Sequence, residues 1–543
     1  MHLNVSSYLS EQAERNPDSS ALRFISKDKN FHGTGYDCLS FKELESTTNA
    51  QAHYFNSLGI TEGTRVLMMV RPGLDLIQIV FSLLKIGAIP VVIDPGMGLA
   101  NFFKCAHHSK VSVIIGEPMA IGAALFFPKS TASIQLKISI DSKFKKRVLA
   151  FHSQGTYKVF APNQDDLAAI LFTSGSTGSA KGVRYTHGIF SAQINLIQEQ
   201  YGIKAGEVDL PMLPVFALFN PAMGMCTVVP DMNPSRPVRV NPEKIVKSIL
   251  NNQVTNSFGS PAIWDKIVCY CETKAVTLPS LKRVIMAGAP APQELLMRLK
   301  KLLPAGEIFT PYGATEALPV SSISSAEIFE KQTGEFAFGR KGICVGRPFP
   351  GIKVKIIEVL EGEIASIDQL KVSKGGSIGE IIVSGPSVTK SYDQLESETK
   401  LSKIKDGSVV WHRMGDLGWI DAQGYLWFCG RKAERVKTSE GYLETTCCEA
   451  IFNQLESVYR TALVDLGGGV PGIIVQPELG HFPKKISDKK KFSSELRQIA
   501  LNDPSARMIE YFYFEKNFPV DVRHNAKIHR LSLAKKWSAQ HRL

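Results

Sequence analysis

Leu167-Ala-Ala-Ile-Leu-Phe172 runs directly into Thr173-Ser-Gly-Ser-Thr-Gly-Ser-Ala-Lys-Gly182, and this junction decides how the rest of the chain is read. Six apolar residues make the length of a buried strand. The glycines at 175, 178 and 182 permit positive φ angles and close backbone approach, so successive N–H groups can converge on anionic oxygens. Serine and threonine hydroxyls surround those amides. Lys181 adds a mobile point charge, worth about 4 kcal/mol against one phosphate charge at ~4 Å in an effective dielectric of about 20. A loop leaving the carboxyl end of a strand is where open α/β sheets bind ligands. A flexible Ser/Gly linker shares this composition, but eight specified letters at about 7% each arise by accident at about 10⁻⁹ per start position. Ala180 stands where a P-loop carries its second glycine, so the G-x-x-x-x-G-K-[ST] spacing fails and an ordinary P-loop NTPase is set aside.

The 543 residues are too many for one core, and a prior of about 150 per domain gives three or four folding units. Hydrophobic residues at 44% and charged ones at 21% suit a soluble globular protein. The opening Met-His-Leu-Asn-Val-Ser-Ser-Tyr has neither the basic leader nor the apolar run of a signal peptide. The apolar region from Leu76 to Ile93 is broken by Gln78, Lys85 and Gly87, which reads as a core helix leading into a strand. The expectation is a cytoplasmic protein without membrane spans. Nine cysteines, with no CxxC pair and a Cys447-Cys448 doublet, read as reduced thiols and not as a zinc site or disulfide framework. The net charge of +12 raises the question of an anionic partner. Lysine runs at Lys143, Lys145, Lys146 and at Lys484, Lys485, Lys489, Lys490, Lys491 lack interleaved aromatics, so no nucleic acid is expected. They read as a solvated face, with peripheral membrane contact the most that a lipidic substrate would add.

Strand-like runs at 65–70, 89–93, 111–115, 167–172 and 283–287 alternate with helical stretches such as Leu74 to Lys85 and Pro292 to Leu303. That alternation predicts parallel βαβ construction through the first three hundred residues. After about residue 345, short alternating runs at 351–358, 379–384 and 424–430 are separated by glycine and polar turns, which predicts a small antiparallel barrel or sheet. The sharpest boundary is Gly430-Arg431-Lys432, where a β segment meets a charged stretch. A helix around Ser7 to Asn16 reads as packing.

Four further motifs follow the phosphate loop. In Tyr312-Gly-Ala-Thr-Glu-Ala317 an aromatic face can stack on a purine, while adjacent hydroxyl and carboxylate groups reach an α-phosphate and Mg²⁺. Arg413-Met-Gly-Asp-Leu-Gly418 places Asp416 between glycines, where a carboxylate can accept both vicinal ribose hydroxyls. Gly430-Arg-Lys432 offers Arg431 to the same sugar or to phosphate, and Asn525-Ala-Lys-Ile-His-Arg530 carries Lys527. In isolation that last segment would read as ordinary surface.

Taken together, these five motifs resemble, in order and spacing, the adenylate-forming superfamily of acyl-CoA synthetases, peptide-synthetase adenylation domains and luciferases. The resemblance spans residues 173 to 530. It implies an α/β fold: a large N-terminal domain, 1–430, of two α/β subdomains plus a β-barrel subdomain, and a small mobile α+β C-terminal lid domain, 431–543. It implies ATP and Mg²⁺, and a first half-reaction giving acyl-adenylate and pyrophosphate. By the same resemblance, Lys527, Glu316 and Thr315 are the catalytic set. Thr173, Ser174, Gly175, Ser176, Thr177, Gly178, Lys181, Gly288, Ala289, Pro290, Tyr312, Gly313, Asp416 and Arg431 hold the nucleotide, and Glu316 with Thr177 holds the metal. Phe216, Phe219, Phe258 and Gly259 fall where such enzymes build the acyl pocket, although core packing explains apolar segments equally well.

Closer phrases narrow the likeness. Phe216-Ala-Leu-Phe-Asn-Pro-Ala222, Pro230-Asp-Met-Asn-Pro-Ser-Arg-Pro237, Thr310-Pro-Tyr-Gly-Ala-Thr-Glu316 and Phe518-Pro-Val-Asp-Val-Arg-His-Asn-Ala-Lys-Ile528 look like the olefin-pathway β-lactone synthetases. That resemblance implies a long-chain β-hydroxy acid, closed to a lactone by its own hydroxyl, with other pathway enzymes as partners. A fatty acyl-CoA ligase shares every adenylation residue and is the alternative; only it requires coenzyme A. Where ligases carry an acidic hinge, this chain has Ala433, within Lys-Ala-Glu-Arg-Val-Lys-Thr-Ser-Glu-Gly441. His187, His412 and His524 lie near the motifs, with a structural role expected for each.

Overall fold

A computed structural model describes residues 2–26, 35–173, 180–212, 218–233, 237–330, 342–373, 376–520 and 528–541. Three larger β-sheets and a two-stranded ribbon, Val436–Thr438 with Gly441–Leu443, organise them, and the site lies where the first two of the larger sheets meet.

In the first sheet the spatial order is Leu136–Ser139, Val113–Gly116, Arg65–Met69, Ile89–Val92, Leu167–Thr173 and Lys181–Thr186. The first five strands are parallel and the last is antiparallel. Helix Leu74–Lys85 makes one crossover with the predicted bounds, and its residues from Ile77 to Lys85 are buried. A helix buried on nearly every side has no solvated face for its lysine. Lys85 is held inside instead by Glu45 at 2.5 Å and by the Asn49 side-chain Oδ1 at 2.8 Å.

The second sheet has fourteen strands. One half is parallel, through Ser20–Ile25, Cys226–Val228, Val208–Pro211, Asn256–Gly259, Arg283–Met286 and Glu307–Ala314. The polarity changes at the hairpin of Glu307–Ala314 with Ala317–Ser324. Beyond it Ile343–Pro348, Leu426–Arg431, Val409–Ile420, Gly379–Ser384 and Lys353–Ile357 pair antiparallel. The antiparallel strands expected late in the chain are thus joined edge to edge with the parallel ones. Asp393, wholly buried, ties the two sheets: Arg65 donates two hydrogen bonds to it at 3.0 Å, Ser109 one at 2.9 Å, and Arg184 one at 3.3 Å.

A smaller C-terminal domain follows strand Leu426–Arg431. Strands Val458–Asp465, Pro471–Pro477 and Tyr511–Phe514 form its sheet, covered by helices Thr445–Phe452, Ile486–Leu501 and Arg530–His541. It has its own core, in which Phe452, Leu463, Ile473, Val475 and Leu496 pack together. Across the junction Lys432 pairs with Glu380 at 3.2 Å and Arg435 with Glu361 at 3.1 Å, so a residue on each side of the exposed Ala433 is tethered to the larger domain.

Candidate active site

The predicted phosphate loop falls between two antiparallel strands. Leu167–Thr173 enters it, Lys181–Thr186 leaves it, and Thr173 faces Lys181 across the pair. Ser174, Gly175, Ser176, Thr177 and Gly178 lie outside the described residues. Lys181 pairs with Glu398, and its ammonium stands 5.1 Å from the centre of the Tyr392 ring.

Tyr392 reaches the second motif. Its hydroxyl donates to Glu316 Oε1 at 2.8 Å. Glu316 and Thr315 form the turn between Ala314 and Ala317, half-buried, at the polarity change of the second sheet. Gly313 is required there, since a β-carbon on it would lie 2.7 Å from the Ala317 carbonyl oxygen. The turn is fixed through its backbone. Tyr185 donates its hydroxyl to the Thr315 carbonyl, while the Thr389 amide and hydroxyl donate to the Glu316 carbonyl at 2.9 and 3.0 Å. Lys403 in turn donates to the Thr389 carbonyl at 2.5 Å and to its hydroxyl at 3.2 Å. Burial lowers the Lys403 ammonium to about 7, against the pull of the Glu316 carboxylate. Tyr392 is pushed well above the usual phenol range by burial and by Glu316, so it stays a neutral donor.

Four residues earlier on the same hairpin, Tyr312 donates to Asp416 Oδ2 at 2.6 Å, and Arg431 pairs with Asp416 Oδ1 at 2.9 Å. Asp416 and Arg431 face each other in adjacent strands. Burial and the neighbouring Asp416 raise the Tyr312 phenol, while Asp416 raises the Arg431 guanidinium against burial. The geometry therefore offers a carboxylate flanked by a neutral phenol and a permanent cation. Gly288, Ala289 and Pro290 follow strand Arg283–Met286, with Gly288 at φ +93°.

Phe258 and Gly259 end strand Asn256–Gly259, where the Phe258 carbonyl accepts from the Met212 amide at 2.7 Å. Phe216 lies outside the described residues. Phe219 packs edge-on to Phe190 with ring centres 5.3 Å apart, and Phe190 stacks on Tyr185 at 5.0 Å. Through Tyr185 this aromatic file ends on the Thr315 carbonyl, physically joining the predicted acyl segment to the predicted phosphate hairpin. Lys527 and His524 lie outside the described residues. His187 and His412 are buried; desolvation lowers His187 to about 4 and His412 well below the usual imidazole value, so both are neutral packing residues at physiological pH.

Sequence reasoning missed Tyr185, Tyr392, Lys403 and Glu398. None sits in a spaced motif. Ser391-Tyr-Asp-Gln394 reads as an ordinary polar connection, and only the pairing of Val183 with Tyr392 brings it beside the hairpin.

Comparison with known proteins agrees with this architecture. The family model described as AMP-binding enzyme matches residues 9–393. The chain is 37% identical, over 98% of its length and 97% of the relative's, to an olefin beta-lactone synthetase of Stenotrophomonas maltophilia. It is 36% identical, over 99% and 98%, to one from Xanthomonas campestris. The solved structure of O-succinylbenzoate coenzyme A synthetase from Bacillus subtilis, in complex with ATP and magnesium ion, superposes with a TM-score of 0.74 over 97% of this chain and 98% of that one, at 18% identity, a likeness of fold. The chain is thus an ATP-dependent adenylate-forming enzyme by descent as well as by motif, and it belongs to the AMP-binding enzyme family with the olefin beta-lactone synthetases as full-length relatives.

Proposed function

We propose that the protein activates a long-chain β-hydroxy acid with ATP and closes it to a β-lactone. The observation that carries this reading is identity of 36 to 37% along the whole chain, small domain included, to enzymes bearing the olefin beta-lactone synthetase name.

In the first step a carboxylate oxygen of the acid attacks the α-phosphorus of ATP and pyrophosphate leaves. Adenylation replaces an oxide leaving group by AMP. Thr173 to Gly178 with Lys181 hold the phosphates in this reading, and Asp416 with Arg431 holds the ribose. Tyr312, Gly313 and the 288–290 segment border the purine. Lys527, brought in by the 431–543 domain, neutralises charge developing at the α-phosphate, a contribution typically worth about 10²–10³ in rate.

Magnesium fits the donor set that remains. Among the described residues no group of three or more His, Cys, Asp or Glu is placed to hold a metal. Glu316 supplies one hard carboxylate, oriented by Tyr392, and Thr177 is the second expected ligand. A Mg²⁺ held this way takes its other oxygens from phosphates and water. When bound, it offsets phosphate charge.

In the second step the substrate's β-hydroxyl oxygen attacks the acyl carbon, the carbonyl carbon–oxygen bond to AMP breaks, and the hydroxyl proton passes to solvent. Internal attack with good orientation is worth roughly 7 to 11 kcal/mol, part of it offset by ring strain. Phe216, Phe219, Phe258 and Gly259 line the acyl side, supported by the aromatic file to Thr315. The Ala433 turn, tethered by Lys432 and Arg435, suits a reaction with no separate thiol acceptor to admit. Among the described residues no helix is long and apolar enough to cross a membrane. The test is AMP release. Turnover that needs the β-hydroxyl and ignores coenzyme A supports the reading; equal turnover of plain fatty acids only with coenzyme A assigns the chain to the ligases.

A further inference from the structure

The small domain carries more charge than the proposed chemistry uses. Residues 484–543 hold fourteen Lys and Arg against six Asp and Glu, an excess of eight out of the chain's +12. Lys484, Lys485, Lys489, Lys490 and Lys491 are all exposed, and among the described residues none enters a side-chain ion pair. Aliphatic side chains stand among them in water: Leu479 is 100% exposed and Ile486 75%. Beside them an open groove of about 450 Å³ is lined by Ile486, Lys489, Lys490, Tyr513, Phe514 and Trp537. Two of the three nearby acids are engaged, and Glu495 is exposed one turn after Lys491. Glu515 accepts from Trp537 at 3.0 Å and pairs with Lys536, and Asp488 accepts from the Lys485 amide at 3.2 Å.

Long lysine stems near exposed aliphatics suit a fluid anionic surface. The ammonium groups meet headgroup phosphates while Leu479 and Ile486 enter the acyl boundary. We propose that this face of the small domain docks on an anionic lipid bilayer. The docking face is independent of the acid that the enzyme activates.

The test pellets the full-length protein with vesicles of phosphatidylcholine, with and without about 30% phosphatidylglycerol, at about 50 and 300 mM salt. The expected result is phosphatidylglycerol-dependent binding that weakens about ten-fold at the higher salt. The triple variant Lys489→Glu, Lys490→Glu, Lys491→Glu should lose about ten-fold or more, and the pair Leu479→Ser, Ile486→Ser several-fold at unchanged charge. Reversal of Lys143, Lys145 and Lys146 should leave binding within about two-fold, since that run lies on the other domain. Melting temperatures and AMP release on a soluble acid are expected to be unchanged in every variant, which separates failure here from failure of the lactone reading. Absence of phosphatidylglycerol dependence, or equal losses from both lysine runs, overturns the proposal. So does tighter binding to polyglutamate or duplex DNA than to vesicles, which would assign the face to an acidic macromolecule.

Discussion

Tyr392 donates its hydroxyl to Glu316 Oε1 at 2.8 Å while its ring lies 5.1 Å from the Lys181 ammonium. One side chain thus bridges the turn of the second motif and the cation that ends the phosphate loop.

Removing the bridge should act on turnover. Tyr392→Phe keeps the ring under Lys181 and deletes only the donor to Glu316. A hydrogen bond to a charged group is worth about 1.5–3 kcal/mol, so pyrophosphate release should fall by roughly ten- to a hundred-fold and require more Mg²⁺. Titrating initial rates against Mg²⁺ checks this, and an unchanged magnesium dependence contradicts the role given to Tyr392.

Asp393 makes the opposite prediction, a loss of fold stability. Its carboxylate is wholly buried between Arg65 and Arg184. Asp393→Asn leaves those cations without their counter-charge, and breaking such a buried pair costs about 3–5 kcal/mol. Thermal denaturation should show a lowered Tm.

Asp209 provides a pH signature. Burial raises its carboxyl to about 7 from an ordinary 3.8, opposed by the Asn220 amide at 2.7 Å. Between those values the folded protein keeps a proton that the unfolded chain has released, so stability falls as pH rises through the window. Asp209→Asn abolishes that loss. The variant's stability relative to the parent should increase from about pH 5 to pH 8 in denaturant titrations; parallel curves would refute the assignment.

Much of this architecture was legible in the sequence because it rests on local signals. Helix Leu74–Lys85 and strand Leu167–Thr173 announce themselves by apolar runs and flanking glycine. The antiparallel pairing that flanks the predicted phosphate loop was not legible, because Lys181 and Gly182 read as loop residues until their pairing with Thr173 and Phe172 is seen. Tyr185, Tyr392 and Lys403 escaped for the same reason. Each reaches the site by long-range packing, and Lys403 is a buried lysine in a segment, Lys400 to Lys405, whose charges suggest solvent.

Asp416 tests the ribose assignment. Tyr312 and Arg431 both hold its carboxylate, so Asp416→Asn should preserve the strand pair and weaken ATP. An expected ten-fold or greater rise in the KM for ATP, about 1.4 kcal/mol, with a smaller change in the KM for the acid, separates nucleotide binding from general damage. Equal changes for both substrates would count against it.

The lactone assignment is tested most directly by mass spectrometry of the products formed from ATP, Mg²⁺ and a long-chain 3-hydroxy acid, with and without coenzyme A. The expected products are AMP and a compound lighter than the acid by one water, formed equally well in both reactions. A coenzyme A-dependent thioester, formed as readily from plain fatty acids, would contradict it.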